Sequence, residues 1–144
     1  MAFDVAQTDQ LSQDIAHATA PSFLLGAVSG FVAVLMGRMN GIIERIRTLN
    51  AIPDDDQARA YLKADLPRLK RRAKLMNDAI YLAVGSAICT TLLVILAFAA
   101  ALFGIRHEPG AAVMFVLALG LMGTSLLTLA REVRIALTDY DHYG

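Results

Sequence analysis

A chain of 144 residues that is 56% hydrophobic, with mean hydropathy +0.52, is more apolar than a soluble domain, whose apolar share is about 45 to 50%. Its formal net charge is zero only as a sum: ten of the thirteen basic residues lie between Arg38 and Asp78 with six acidic ones, while residues 1–20 hold three aspartates and no Lys or Arg. The one cysteine, Cys89, excludes a disulfide framework or a thiolate zinc set and reads as a small apolar side chain.

Asp4, Asp9 and Asp14 precede the first apolar stretch and Arg38 follows it. That order inverts the basic-then-apolar layout of a cleaved signal peptide, so the first apolar segment is expected to be retained. Phe3, Leu11 and Ile15 suggest a short interfacial helix before it. Thr19 or Ser22 is then placed to cap the membrane helix, with Pro21 in its first turn. Uncharged windows run from Ile15 to Gly37, Ala79 to Ile105 and Pro109 to Ala130, each long enough to cross a hydrocarbon core of about 30 Å as a helix. Three transmembrane helices are therefore predicted.

The first helix is expected to continue beyond the bilayer. Val28, Val32, Leu35, Met39, Ile42, Ile46 and Leu49 recur at spacings of four and three, the seam of a coiled coil. After a polar turn around Asn50 to Asp56 a second stripe follows in Leu62, Leu66, Leu69, Ala73, Met76 and Ile80. Two matched stripes predict an antiparallel coiled-coil hairpin prolonging the first two spans, with its basic residues outside. Asp54, Asp55 and Asp56 fall where the returning helix is expected to begin, a favourable place for negative charge. Pro67 then marks either a restart, with Asp65 as cap, or a kink. Past Arg131, Val133, Leu137 and Tyr140 keep the three-and-four spacing, so the third helix should leave the membrane intact.

Basic residues in short loops stay cytoplasmic. The expected organisation is thus an acidic extracytoplasmic segment (1–20), a span (21–37), a basic cytoplasmic helical hairpin (38–78), a second span (79–104), an extracytoplasmic turn (105–110), a third span (111–130) and a cytoplasmic tail (131–144). The fold class is all-α, with the N-terminus outside and the C-terminus inside. Arg68, Lys70, Arg71, Arg72 and Lys74 form a basic run close to the second span, which points to anionic lipid headgroups rather than nucleic acid.

Small residues form a further pattern. Ser22, Gly26, Ser29, Ala33 and Gly37 line one face of the first span, with Gly26 and Gly30 as a G-x-x-x-G pair. Ala79, Ala83, Ser86, Thr90, Ala97, Ala101 and Gly104 do so on the second, and Ala112, Gly120, Gly123, Thr124 and Thr128 on the third. In lipid such faces let helix backbones approach and hydroxyls bond across. They serve packing within one chain or contact with a second copy, and three helices enclose a water-filled path only in an oligomer, with hydroxyls such as Ser29, Ser86 and Thr90 turned inward.

No Asp, Glu, Lys or Arg lies inside the spans, which weighs against proton-coupled transport. Arg38 or Arg131 beside Asp78 is placed to form an ion-paired collar at the cytoplasmic boundary, the alternative for each being a snorkelling anchor. His17, His107 and Glu108, or Asp139, Asp141 and His142, lack metal-ligand spacing. No phosphate loop, nucleophile elbow or carboxylate dyad is present, so neither a cofactor nor an enzymatic reaction is expected.

The run Arg38-Met39-Asn40 with Arg45-x-Arg47-x-Leu49, then Arg71-Arg72-Ala73-x-Leu75 entering the second span, then Leu129-x-Arg131-Glu132-Val133 closing the third, resembles the bacterial domain-of-unknown-function family 2721 over about residues 15–140. Order and spacing carry the resemblance. It implies a small bacterial membrane protein with three spans, for which the inner membrane is the expected location, and brings no reaction, ligand or catalytic residue. Two functions are carried forward: a homo-oligomeric channel or passive transport protein, and a non-conducting scaffold or accessory subunit that recruits partners or anionic lipids through its cytoplasmic hairpin.

Overall fold

A computed structural model describes residues 2–104 and 108–140, with side chains from Thr19 onward except Ala101, Glu108, Asp139 and Tyr140, and at scattered positions before Thr19. The expectations for 105–107, for 141–144 and for the side chains of His17, His107, Glu108, Asp139 and His142 fall outside these described residues. Three long helices account for most of the rest: α1 (Ala2–Asn50), α2 (Leu66–Phe103) and α3 (Glu108–Tyr140), with a short 3-10 helix (Ala60–Asp65) before α2. Helix α2 packs extensively against both α1 and α3, which barely touch each other.

The two apolar stripes find each other. Val28, Leu35, Ile42 and Leu49 of α1 share one buried cluster with Leu69, Met76, Ala79 and Ala83 of α2, and Val32, Met39, Ile46, Leu62, Leu66, Ala73 and Ile80 pack around it. Met122 and Leu129 bring α3 onto the same cluster. The three-and-four spacing thus converts directly into a continuous seam, because residues so spaced share a helix face.

Beyond this seam the polarity is that of a membrane protein. Ala79, Ala83, Ser86, Thr90, Ala118 and Ser125 are buried, whereas Phe23, Ile88, Leu92, Ile95, Phe98, Leu102, Phe103, Val113, Val116, Leu117 and Leu127 are exposed. So much outward apolar surface exceeds what a monomeric protein shows to water, while small and hydroxylated residues between helices suit packing in lipid. All three helices are long and apolar enough to cross a membrane, and the chain is a multi-pass membrane protein.

Several local expectations are corrected. Helix α1 does not begin at a cap near Thr19 or Ser22 but runs through Pro21 from Ala2. Thr19 Oγ1 donates to the Ile15 carbonyl 2.8 Å away, so this hydroxyl closes onto the preceding turn, where an N-cap would accept from the following one. At 49 residues the helix is about 73 Å long at 1.5 Å per residue.

The aspartates of the turn do not start the returning α-helix, which begins at Leu66 with Pro67 in its first turn. They order the turn itself: Asp56 accepts from the backbone N–H of Arg59 (3.2 Å) and from its Nε (2.8 Å), and Asp54 accepts from Lys63 Nζ (2.6 Å). Of the two possibilities at Pro67 the helix restarts, yet Asp65 makes no side-chain cap bond. Its backbone is already helical, at φ −78° and ψ −14°, because the 3-10 turn leads into α2 without the extended residue that a capping side chain needs.

At the other end α2 stops at Gly104, whose N–H bonds the Ala100 carbonyl and whose φ of 64° turns the following chain out of the helix. Only glycine takes this left-handed conformation without a Cβ penalty. Gly104→Ala is therefore expected to destabilise the protein by about 1 kcal/mol, whereas Gly120→Ala, in helical conformation with open space around its Cβ position, should not. Denaturation in mixed micelles followed by circular dichroism would compare them. The Lys63 bond and charge also hold the Asp54 carboxyl below its ordinary value near 3.8. The stabilisation from this pair is complete above that value and is lost as pH falls through the lower folded one. Lys63→Gln should return the Asp54 titration, read by carboxyl NMR shifts, to the ordinary range.

Candidate functional site

On α3 the buried residues recur every seventh position: Ala118, Ser125 and Glu132. Helix α2 answers with the same period. Ser86 Oγ donates to the Ala118 carbonyl (2.7 Å), Ser125 Oγ donates to the Ala79 carbonyl (2.6 Å), and Arg72 reaches Glu132. Seven residues are about two turns, or 10.5 Å, so the helices meet through three evenly spaced polar rungs. This is the register of antiparallel helices that meet along one face of each. The first two rungs use a side-chain hydroxyl and a carbonyl that is already bonded within its own helix, a contact needing small residues at the crossing. Gly85 provides room beside them, its Cβ position lying 3.7 Å from Leu121 Cδ1.

The last rung is a charged centre joining all three helices. Glu132 has 0% of its side chain exposed, Arg72 19% and Arg38 37%. Arg38 of α1 donates to Glu132 Oε2 from Nε (3.2 Å) and Nη2 (2.6 Å), and Arg72 of α2 donates to Oε1 from Nε (2.9 Å), its Nη2 lying 2.8 Å from the same oxygen in an ion-pair contact. Each carboxylate oxygen thus faces one guanidinium, with two N–H bonds on Oε2 and one on Oε1, so that charge-assisted bonds take up most of what a carboxylate can accept. A charge of this kind is costly to bury and tolerable only when paired and hydrogen-bonded.

The ion-paired collar therefore exists, with a different acid. Asp78 and Arg131 are exposed, and Glu132, which in the sequence stands beside Arg131 only as one more charged residue at the end of the third apolar stretch, is the centre. The sequence signal was available in the matching seven-residue series, Arg72, Ala79, Ser86 and Ala118, Ser125, Glu132. Small size does not mark the series on α3, since Glu132 is large and Ala118 lies between Leu117 and Leu119.

The small and hydroxylated positions divide. Ser86 and Thr90 are fully buried, the latter bonded to the Ser86 carbonyl (2.8 Å). Ser22, Gly26, Ser29, Gly30, Gly120 and Thr124 are exposed, and a Cβ added at Gly26, Gly30 or Gly120 would meet nothing within 4 Å. Ser29 and Thr124 bond the Leu25 and Gly120 carbonyls of their own helices (2.9 and 2.8 Å). A groove of about 490 Å³ between α1 and α2 is lined by Val28, Ser29, Val32, Val84, Ala87, Ile88 and Thr91. Its two hydroxyls bond their own helices, so it presents an apolar wall.

In the basic run, Lys70, Arg71 and Lys74 are exposed, Arg68 is half-buried and Arg72 turns to Glu132. Cys89 is half-buried and free. No group of three His, Cys, Asp or Glu side chains able to hold a metal occurs among the described residues.

Residues 18–142 match the model of a family described as proteins of unknown function, DUF2721. The chain belongs to that family. No curated protein and no solved structure matches it. The family match spans the Arg38, Arg72 and Glu132 centre together with both hydroxyl rungs.

Removing one partner of a buried ion pair strands the other, at about 3 to 5 kcal/mol. Glu132→Ala, which leaves two guanidiniums facing each other, is expected to fall in that range. Arg38→Gln should cost less because solvent already screens part of the guanidinium. Ser125→Ala should cost about 0.6 to 1.7 kcal/mol. Unfolding of the three variants in mixed micelles checks this ordering, and a Ser125→Ala cost equal to that of Glu132→Ala would refute it.

Proposed function

We propose that this DUF2721 chain is a non-conducting scaffold or accessory subunit of the bacterial inner membrane, assembled as a homo-oligomer. Its coiled-coil hairpin faces the cytoplasm, and Lys70, Arg71 and Lys74 meet anionic headgroups there. The observation that carries the reading is the disposition of the hydroxyls within the spans. Ser86, Thr90 and Ser125 are buried between helices with their bonds made, and Ser29 and Thr124 bond carbonyls of their own helices. A conducting path needs such groups turned to water, and recruiting them would break the rungs that hold α2 to α3.

The remaining features agree with a scaffold. The exposed basic face lies beside the charge-free stretch of α2, where each suitably placed Lys or Arg contributes about 1 kcal/mol toward anionic lipid. The excess of basic residues in 38–78 favours a cytoplasmic hairpin, with the N-terminus outside and the C-terminus inside. The open α1 face at Gly26 and Gly30 suits close approach by a second copy. No reaction, cofactor or nucleic-acid partner belongs to this reading.

Proteoliposomes carrying the purified chain are expected to pass K⁺, Cl⁻ and small neutral solutes no faster than vesicles of lipid alone. A flux that Ser29→Leu abolishes would overturn the proposal in favour of the channel. For orientation, Gln57→Cys in a Cys89→Ser background should react with a membrane-impermeant maleimide only after the inner face of the membrane is opened.

A further inference from the structure

We propose that Arg38 is a phosphate-binding residue at the membrane surface, held in position by Glu132. The inference deepens the headgroup reading above and rests on it. A guanidinium has five N–H donors in a planar fork. Glu132 Oε2 takes the Nε and Nη2 edge of Arg38, which leaves the end-on edge, formed by Nη1 and the second Nη2 proton, for another anion. Glu132 is wholly buried while 37% of the Arg38 side chain is exposed, so Arg38 links a buried carboxylate to the surface. Neither nearby acid competes: Glu44 and Asp78 are exposed, and the carboxylate bonded to Arg38 is that of Glu132.

The surroundings select the ligand. The uncharged stretch of α1 ends at Gly37 and that of α3 at Ala130, which sets Arg38 at headgroup depth, where phosphates are the densest anions. A fixed guanidinium edge matches two phosphate oxygens in a bidentate fork that an ammonium cannot reproduce. Access is open as well. Gly37 and Gly41 flank Arg38, and a Cβ at either position would meet nothing within 4 Å. Arg45, two turns further along the same face and exposed, adds positive charge. The pair with Glu132 removes much of the rotamer freedom that a long surface side chain would otherwise lose on binding.

The test uses the full chain in nanodiscs of phosphatidylcholine with a minority of phosphatidylglycerol, counting by native mass spectrometry the phosphatidylglycerol retained per protein. Arg38→Lys keeps the charge but loses the fork. Gly41→Leu leaves Arg38 and Glu132 intact and, because helical side chains lean toward the N-terminus, lays its side chain over the turn that holds Arg38. Each is expected to lower retention about five-fold, the net worth of about one hydrogen bond, with the unfolding midpoint of Gly41→Leu unchanged. Millimolar inorganic phosphate distinguishes the source: displacement of the lipid assigns the site to free phosphate, and retention in its presence assigns it to the headgroup. Unchanged retention in Gly41→Leu overturns the inference. If Lys70→Gln/Arg71→Gln/Lys74→Gln then abolishes retention, the exposed basic face holds the lipid and the function proposed above survives; if that variant too is without effect, the headgroup reading itself falls.

Discussion

A carboxylate with no exposed surface must find its counter-charge inside the protein, and in this chain that requirement ties three helices to one point. Glu132 sits on α3 with Arg72 of α2 on one oxygen and Arg38 of α1 on the other. Helices α1 and α3 otherwise hardly meet, so the Arg38 bond is the main direct tie between them. Apolar burial cannot supply such a tie within the bilayer, where the lipid tails are as apolar as the side chains. The centre therefore decides which helices associate and at what height, whereas the apolar seam of α1 and α2 decides which faces they present.

The seam was legible because it is written in the contrast that amphipathic periodicity measures. Leu49 and Leu69 stand between polar or charged neighbours, the seven-residue spacing carries their stripes to Ile42 and Leu35 and to Met76, and these are residues buried together. Span length was legible for a similar reason, since exclusion of charge over more than twenty residues needs no partner to interpret. The charged centre was not. A glutamate beside Arg131 at the end of an apolar stretch looks like any boundary residue, and only its phase relative to another helix distinguishes a buried ion from a solvated one. Arg72 was likewise hidden inside a basic run whose other exposed members, Lys70, Arg71 and Lys74, share its composition but not its helix face.

Helix ends were misread where local chemistry had more than one use. Thr19 and Asp65 carry capping side chains, yet the backbone at both is already helical, and a cap requires the chain to enter the helix from an extended conformation. The aspartates at 54 and 56 favour a helix N-terminus by charge, but Lys63 and Arg59 are nearer partners, and binding them builds the turn that leads into the 3-10 helix. Propensity identifies what a residue can do; the neighbours within reach determine which of those it does.

The seven-residue series on α2 and α3 links the centre to depth in the membrane. Its rungs at Ser86 and Ala118, Ala79 and Ser125, and Arg72 and Glu132 are about 10.5 Å apart, so the outer two lie about 21 Å apart, most of a hydrocarbon core of about 30 Å. With the charged rung at the boundary, the Ser86 rung necessarily falls deep in the apolar interior, where an unmet hydroxyl or carbonyl costs most. A slip of α3 by one turn would put Glu132 out of register with both arginines and separate both serines from their carbonyls at once. The three rungs are thus mutually enforcing, and the chain needs no ionisable group at mid-membrane to hold its helices in place. That leaves the outward faces of α1 and α3, with Gly26, Gly30, Gly120 and Gly123 open to the surroundings, free of any duty to the fold and available to whatever packs beside them.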